Sequence, residues 1–418
     1  MNVVIINKSD TTGGAAVVSF RLMEALRAAG VDARMIVEEK LSDSPFVEPA
    51  ASRFSLKASF IAERLRIFLS NGFDRKNLFK IDIASDGVDL ANHPWVRRAD
   101  AVLLNWVNQG LLSFKGIKQL IRTGKPVIWT MHDMWCFTGI CHHSENCCRY
   151  ESICSDCPWL GKGSGKNDLS ARVFRKKLIL YPESGIHFVA VSNWLKMLSQ
   201  NSALFKGIPV SVIPNPFPIP SKPMDFTSRE QGNKKIILFG AARLDDPIKD
   251  FPTLIAATRY LKESYPDIKD KIELVTFGEI RNSRLLDEIA IPHRHLGRIK
   301  GAERLREIYE KGHVIVSTSR YETLPGTLVE GQAYGAVPVS FNRGGQTDII
   351  EHLSTGFIAS WEEETDKRGS AIGEGIMWAL TQGLETRERM FESVKSRFSY
   401  SSIAHSYISL IEDIANKK

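Results

Sequence analysis

The chain has 418 residues, 43% of them hydrophobic and 25% charged, the balance of a globular protein with room for two or three domains. A formal net charge of +7 and a pI near 9.0 favour anionic partners: nucleotide diphosphates, lipid phosphates or an anionic membrane face. No helix-turn-helix, RRM or basic-aromatic repeat accompanies that charge, which sets nucleic acid aside, and the longest apolar runs fall well short of the ~18–20 residues needed to cross a bilayer.

Residues 2–7 read as an apolar first strand rather than a signal peptide, because no basic segment precedes them and a polar glycine loop follows. A cytoplasmic location is expected. Gly13 and Gly14 lie in the turn after this strand and open a helix that runs to Leu26. Lacking a Cβ, they let backbone amides approach a phosphate or sugar. The adjacent pair is no G-x-G-x-x-G fingerprint, and taken alone an ordinary strand–helix turn is the simpler reading. Gly30 closes the helix and 33–37 is the next strand.

Between Arg53 and Phe73, the apolar residues Phe54, Phe60, Ile61, Leu65, Phe68 and Leu69 alternate with Arg53, Lys57, Arg64 and Arg66. Such a helix is expected to pack on a core with its basic residues solvated. The other reading is peripheral contact with an anionic surface, the cytoplasmic face of the inner membrane. Strands follow at 101–105 and 125–130, and the second delivers His132 and Asp133 at its carboxyl end. A lone histidine is by default structural; this one sits where parallel sheets bind ligands.

All six cysteines fall between Cys136 and Cys157. Cys154 and Cys157 form a C-x-x-C pair, Cys141 and Cys147 add two thiols, and His142, His143 and Cys148 stand in reserve. A cytoplasmic chain of this size does not call for a disulfide framework. Cys141, Cys147, Cys154 and Cys157 are expected to bind a structural Zn²⁺ tetrahedrally and pin an otherwise disordered loop over 136–160. Four protein ligands leave no open position for a catalytic metal; free thiols and a redox pair are the alternatives. The segment 161–166 is not a Walker loop, since no strand precedes it and Asn167 stands where Ser or Thr is required. Arg175, Lys176 and Lys177, on a helix over 172–180, either meet an anionic acceptor or are solvated.

Strands at 187–192 and 210–213 lead to Pro214, Pro216, Pro218, Pro220 and Pro223 and then a polar stretch over 224–233, the expected interdomain linker. A second strand–helix series begins at Lys235, with strands at 236–240 and 273–277. Its centre is 317–345. A β-branched run over 314–317 reads as a buried strand, Glu322 lies in the following loop, and Glu330 lies near the first turn of a helix closed by Gly335. Residues 337–341 form the next strand, capped by Asn342, Gly344 and Gly345. This is one parallel α/β unit, with both carboxylates at the carboxyl end of a strand beside helix N–H groups suited to phosphate.

Glu322 and Glu330 with seven residues between them, the small-residue run over 335–339 and the Gly344–Gly345 turn resemble the carboxylate motif of family-4 retaining glycosyltransferases. The wording TLPGTLVE over 323–330 is similar to the branch that builds bacterial surface polysaccharides of the colanic acid and capsule type. The likeness runs over nearly the whole chain: Asn215 matches an Ile-Pro-Asn turn, and Leu296-Gly297 a segment near the nucleotide base.

The resemblance implies an α/β protein of GT-B fold, two Rossmann-like domains with parallel sheets facing across a cleft. Residues 1–218 would bind the acceptor, 219–399 the nucleotide sugar, and a helix over 400–418 would pack back on the first domain. The implied reaction is metal-independent transfer of a hexosyl group, with retention, from a UDP- or GDP-sugar to a glycan or lipid-linked acceptor in polysaccharide biosynthesis. Arg243 and Lys249 stand where the family grips the donor diphosphate, with one extra residue between them and Asp250 in place of the usual Gly. His132 would touch the donor sugar or transferring group, oriented by Asp133, and Gly13 and Gly14 would line the cleft. Glu330 would hold the ribose hydroxyls and Glu322 would face the sugar, with Leu324, Pro325 and Gly326 offering backbone amides. The rival of another class is a non-catalytic nucleotide-sugar-binding protein acting as sensor or scaffold; an epimerase or phosphorylase of similar architecture is the enzymatic one.

Overall fold

The structure is a computed structural model describing residues 1–225 and 234–416. Of the expected linker, 226–233 lies outside the described residues. The chain divides into two compact units, Met1–Pro216 with Ile403–Lys418, and Phe217–Ser402.

The first unit is a seven-stranded sheet in the order β3-β2-β1-β4-β5-β6-β7. Its strands are β1 (Asn2–Ser9), β2 (Asp32–Glu39), β3 (Val47–Pro49), β4 (Ala101–Leu104), β5 (Val127–Met131), β6 (His187–Ala190) and β7 (Val210–Val212). Every pairing is parallel. Parallel strands covered on both faces read as unbroken apolar runs, and Val3, Val4, Ile5 and Ile6 are all buried. The crossovers carry α1 (Gly14–Ala28), α2 (Arg53–Ser70), α3 (Pro94–Arg98), α4 (Phe114–Arg122), α5 (Leu169–Leu180) and α6 (Asn193–Asn201). Ser52, Ser113, Asp168 and Ser192 cap α2, α4, α5 and α6, each side chain accepting a first-turn N–H.

The second unit is a six-stranded sheet, β10-β9-β8-β11-β12-β13, again parallel throughout. Its strands are β8 (Lys235–Arg243), β9 (Ile272–Glu279), β10 (His293–His295), β11 (Val314–Ser317), β12 (Val337–Phe341) and β13 (Phe357–Ala359). Its helices are α7 (Phe251–Ser264), α8 (Arg284–Asp287), α9 (Ala302–Lys311), α10 (Gly326–Ala333), α11 (Thr365–Leu380) and α12 (Leu384–Phe398). Phe239, Leu254, Val316, Val339, Phe341 and Ile376 meet in its core. The last helix, α13 (Tyr400–Asn416), contributes buried Ile403, Ala404, Tyr407 and Ile411. Tyr407 Oη lies 2.8 Å from Thr130 Oγ1 on β5, which ties α13 to the first sheet. Among the described residues no helix is long and apolar enough to cross a membrane.

Two sequence expectations for basic residues fail. Arg64, read as solvated, is buried in α2 and donates to Asp82 Oδ1 at 2.7 Å and to the Ile81 carbonyl at 3.0 Å. Lys177, read as solvated or acceptor-facing, is fully buried, with its ammonium 3.4 Å from the Trp135 ring centroid and donating to the Trp135 and Thr138 carbonyls. Burial pulls its pKa down to about 7. In both cases helical periodicity named the helix but not which of its flanks turned inward.

Candidate functional site

In the second unit the loops after β8, β11 and β12, three neighbouring strands, are tied together. β8 ends with a register shift between Gly240 and Arg243, and the chain turns over Asp246. The Asp246 carboxylate accepts from Arg243 Nη2 at 2.7 Å and from the Ile248 N–H at 3.1 Å. Lys249 follows, and its ammonium forms an ion pair with Glu322 in the loop after β11. The same Glu322 oxygen accepts from Ser319 Oγ at 2.9 Å. Thr318 Oγ1 donates to the Lys249 carbonyl at 2.7 Å, and the Arg320 N–H to the Ile248 carbonyl at 2.8 Å. The third loop closes on the same residue: the Gly345 N–H donates to the Glu322 carbonyl at 2.8 Å. Gly344 has φ 141°, and a Cβ there would lie 2.3 Å from the Glu322 carbonyl oxygen, so this approach requires glycine.

Asp250, where the family resemblance leads one to expect glycine, has φ 49° and ψ 52°. Asp tolerates the left-handed region better than most side chains. Here its buried carboxylate lies 3.2 Å from Arg368 Nε and accepts from Thr253 Oγ1 at 2.9 Å. Asp250 thus holds a backbone conformation open to glycine and adds an anchor that glycine would lack.

Glu330 is the fifth residue of α10, a turn later than its sequence context suggested, and its Oε2 accepts from Tyr309 Oη at 3.0 Å. Tyr309 is buried and stacks on Tyr334 with ring centroids 6.2 Å apart. The α10 N-terminus carries no side-chain cap. Pro325 has no N–H and cannot offer the amide expected of it; Leu324 and Gly326 can. Gly326 is itself a close approach, since a Cβ there would meet the Phe217 ring at 2.8 Å. Arg243, Lys249 and Glu322 thus gather at the carboxyl end of the second sheet, but each cation already has a carboxylate partner. An incoming phosphate must displace Asp246 and Glu322 from them.

At the carboxyl end of the first sheet, Gly13 has φ 96° in the turn before α1, and among the described residues nothing lies within 4 Å of its missing Cβ, or of that of Gly14. His132 Nε2 lies 2.7 Å from Asn105 Oδ1, just beyond β4. Burial pulls the His132 pKa down to about 4 against the pull of Asp133, so the imidazole is neutral at pH 7. Asp133 does not orient it, contrary to expectation. Its carboxylate accepts from Trp106 Nε1 at 2.7 Å and from the Trp135 N–H at 2.8 Å, and lies 2.7 Å from His142 Nδ1. The other His142 nitrogen lies 2.9 Å from Asp82 Oδ2. Burial opposes the charge on His142, but Asp133 and Asp82 outweigh it and raise its pKa to about 10. Beside this pair, burial and the Asp82 charge push the Glu63 carboxyl up to about 8. Asn105 and Asp82 were not singled out as site residues from the sequence, and His142 only as a reserve metal ligand. Only Asn105, at the end of its strand, carried a positional signal.

Zinc binding by the loop cysteines finds no support among the described residues. Cys141, Cys147, Cys154 and Cys157 do line one small cavity, with Tyr150 and Trp159. Among the described residues, however, no group of three or more His, Cys, Asp or Glu side chains is placed to hold a metal ion. The reserve ligand His142 has both nitrogens committed to carboxylates. The loop is instead pinned by Lys177 on the Thr138 carbonyl, by Tyr181 Oη on the Cys136 carbonyl at 2.9 Å, and by Ser202 Oγ on the Phe137 carbonyl at 2.6 Å.

Residues 222–397 match the family model described as "Glycosyl transferases group 1". By sequence, no curated protein matches the chain. Among solved structures it is similar to Anabaena HepE in complex with UDP-glucose, at 14% identity over 99% of this chain and 100% of that chain, with a TM-score of 0.61. It is similar to a glycosyltransferase from Rickettsia africae at 13% identity over 100% and 99%, with a TM-score of 0.63. Sucrose-phosphate synthase from Thermosynechococcus elongatus gives 15% identity over 100% of both chains and a TM-score of 0.62. At such identities the likeness establishes the fold, the GT-B class with its two parallel-sheet α/β halves.

Proposed function

We propose that this chain is a glycosyltransferase that transfers a hexosyl group from a nucleotide diphosphate sugar, with retention, to a glycan or lipid-linked acceptor of a bacterial surface polysaccharide. The observation that carries the reading is the junction of Lys249, Glu322 and Gly345 at the carboxyl ends of three adjacent strands, inside the segment that matches the group 1 family. A UDP-sugar is the donor to try first, since the similar Anabaena protein was solved with UDP-glucose.

In this reading the second unit holds the donor and the first unit the acceptor. Arg243 and Lys249 bind the diphosphate together with the open amides of the α10 N-terminus, and Glu330, steadied by Tyr309, accepts the ribose hydroxyls. When the diphosphate draws Lys249 away, Glu322 is released to bond the sugar and to stabilise positive charge developing at its anomeric carbon. The bond from that carbon to the diphosphate oxygen breaks as the bond to the acceptor oxygen forms on the same face. The acceptor proton leaves with the nucleoside diphosphate. Fixed positive groups meet the leaving charge, so no divalent metal is required. His132, neutral at pH 7, is assigned hydrogen bonding rather than proton transfer.

A thermal-shift panel of UDP, GDP and their sugars, followed by an assay for slow donor hydrolysis, tests the reading. Stabilisation by one nucleotide and release of its sugar are expected. No stabilisation by any of them would overturn the reading, and tight binding without turnover would favour the sensor or scaffold.

A further inference from the structure

The outer face of α2 is apolar. Phe54 is 85% exposed, and Ile61, Leu65 and Leu69 are each 51% exposed. Spacings of seven, four and four residues put all four on one side of the helix. The opposite side is buried, and it carries Leu56 and Ile67 together with the polar pair Glu63 and Arg64. The expectation that the apolar side of this helix packs on the core therefore holds for only part of it.

The stripe continues past the helix. Phe73, 66% exposed, packs edge-on against Phe68 with ring centroids 5.5 Å apart, and Phe79, 64% exposed, stacks on Phe60 at 6.4 Å. These contacts hold both rings against the helix while leaving most of their surface to solvent. Around them Arg53, Lys57, Arg66, Arg75, Lys76 and Lys80 are all exposed. Arg66 pairs with Asp86 at 2.9 Å, whereas Arg53, Lys57, Arg75 and Lys76 have no ion-pair partner among the described residues.

A large aromatic and aliphatic patch rimmed mainly by basic side chains, with Asp74 and Asp86 the acidic exceptions, is more than the scatter of single apolar side chains on ordinary surfaces. A second copy of this chain would bring two basic rims together, which charge repulsion disfavours. An anionic bilayer offers both complements, acyl chains for the stripe and headgroup phosphates for the rim. We propose that α2 and the segment over 71–80 form a docking surface for an anionic lipid bilayer, with Phe54, Ile61, Leu65, Phe73 and Phe79 at the acyl boundary and the basic rim among the headgroups. This goes beyond the transferase reading and does not depend on it.

The test is flotation of the full chain with phosphatidylcholine vesicles, with and without phosphatidylglycerol, at low and high salt. Binding to the phosphatidylglycerol vesicles alone is expected, and salt should weaken it. Phe54→Ser/Ile61→Ser/Leu65→Ser should lower partitioning by about tenfold or more, as should Arg53→Glu/Lys57→Glu, each with an unchanged melting temperature. Failure to float with anionic vesicles, equal binding to neutral ones, or undiminished binding of the triple variant would each overturn the proposal. So would a dimer in sedimentation velocity that the triple variant dissolves without any vesicle binding.

Discussion

Lys249 and Glu322, 73 residues apart in the chain, meet as an ion pair between the loops that follow the adjacent strands β8 and β11. The pair holds the candidate phosphate cation and the candidate sugar carboxylate in one place before any ligand arrives. Glu322→Gln is therefore expected to abolish sugar transfer while leaving nucleoside diphosphate affinity within about threefold, because Lys249 stays available to the phosphate. Lys249→Ala should instead weaken nucleoside diphosphate binding by roughly ten- to a hundredfold, the value of a charge-assisted hydrogen bond. Calorimetric titration of both variants checks this. Equal loss of nucleotide binding in the two would count against separate phosphate- and sugar-facing roles.

Tyr309→Phe removes the hydroxyl that donates to Glu330 but keeps the ring stacked on Tyr334. Nucleoside diphosphate affinity is expected to fall about fivefold, the worth of one hydrogen bond near 1 kcal/mol, with kcat little changed. Inorganic diphosphate, which has no ribose, should bind both proteins alike. A matching loss for diphosphate would place Glu330 elsewhere than at the ribose.

Asp250→Gly relieves the left-handed backbone but leaves the buried Arg368 charge without its carboxylate, though Thr253, Thr365 and the Glu362 and Glu363 carbonyls still accept its N–H groups. A net destabilisation of about 3 kcal/mol is expected in urea unfolding, since removing one partner of a buried pair costs more than the pair contributes. Asp250→Gly/Arg368→Met should recover most of it. If the single glycine variant is as stable as the parent, the backbone strain is as large as the ion pair's contribution.

His142, held between Asp133 and Asp82, has its folded-state pKa raised from 6.5 to about 10. A group whose folded pKa is raised contributes stability that is complete below its unfolded pKa and disappears as pH climbs through the folded value. The stability gap between the parent and His142→Asn should thus be widest at about pH 6 and close as pH rises from about 6.5 to about 10. Melting temperatures across that range check it, and a gap that widens with pH would mean that the imidazole is not held charged.

Much of the architecture was legible because its signals are local. The runs over 314–317 and 337–341 are mostly β-branched or apolar and buried throughout, as a parallel strand covered on both faces requires. Gly344 and Gly345 were conspicuous as a turn, and the structure shows why the first must lack a side chain. The zinc reading gained no support at the step from spacing to geometry. A cluster of cysteines in one loop says nothing of where the sulfur atoms converge, and the loop found its anchors in Lys177, Tyr181 and Ser202 from other elements.

What the sequence by itself determined was the alternation of strand and helix in two series, the loops that carry Glu322, His132 and Arg243, and the amphipathic character of α2. Tertiary structure alone decided that Lys249 answers Glu322, that Asp133 serves His142 rather than His132, and that α2 turns its apolar stripe to solvent while burying Glu63 and Arg64. Periodicity fixes which residues share a face and strand ends fix which loops gather. Which charges finally meet depends on the register of neighbouring strands and on loops closing over many residues, and no local pattern encodes that.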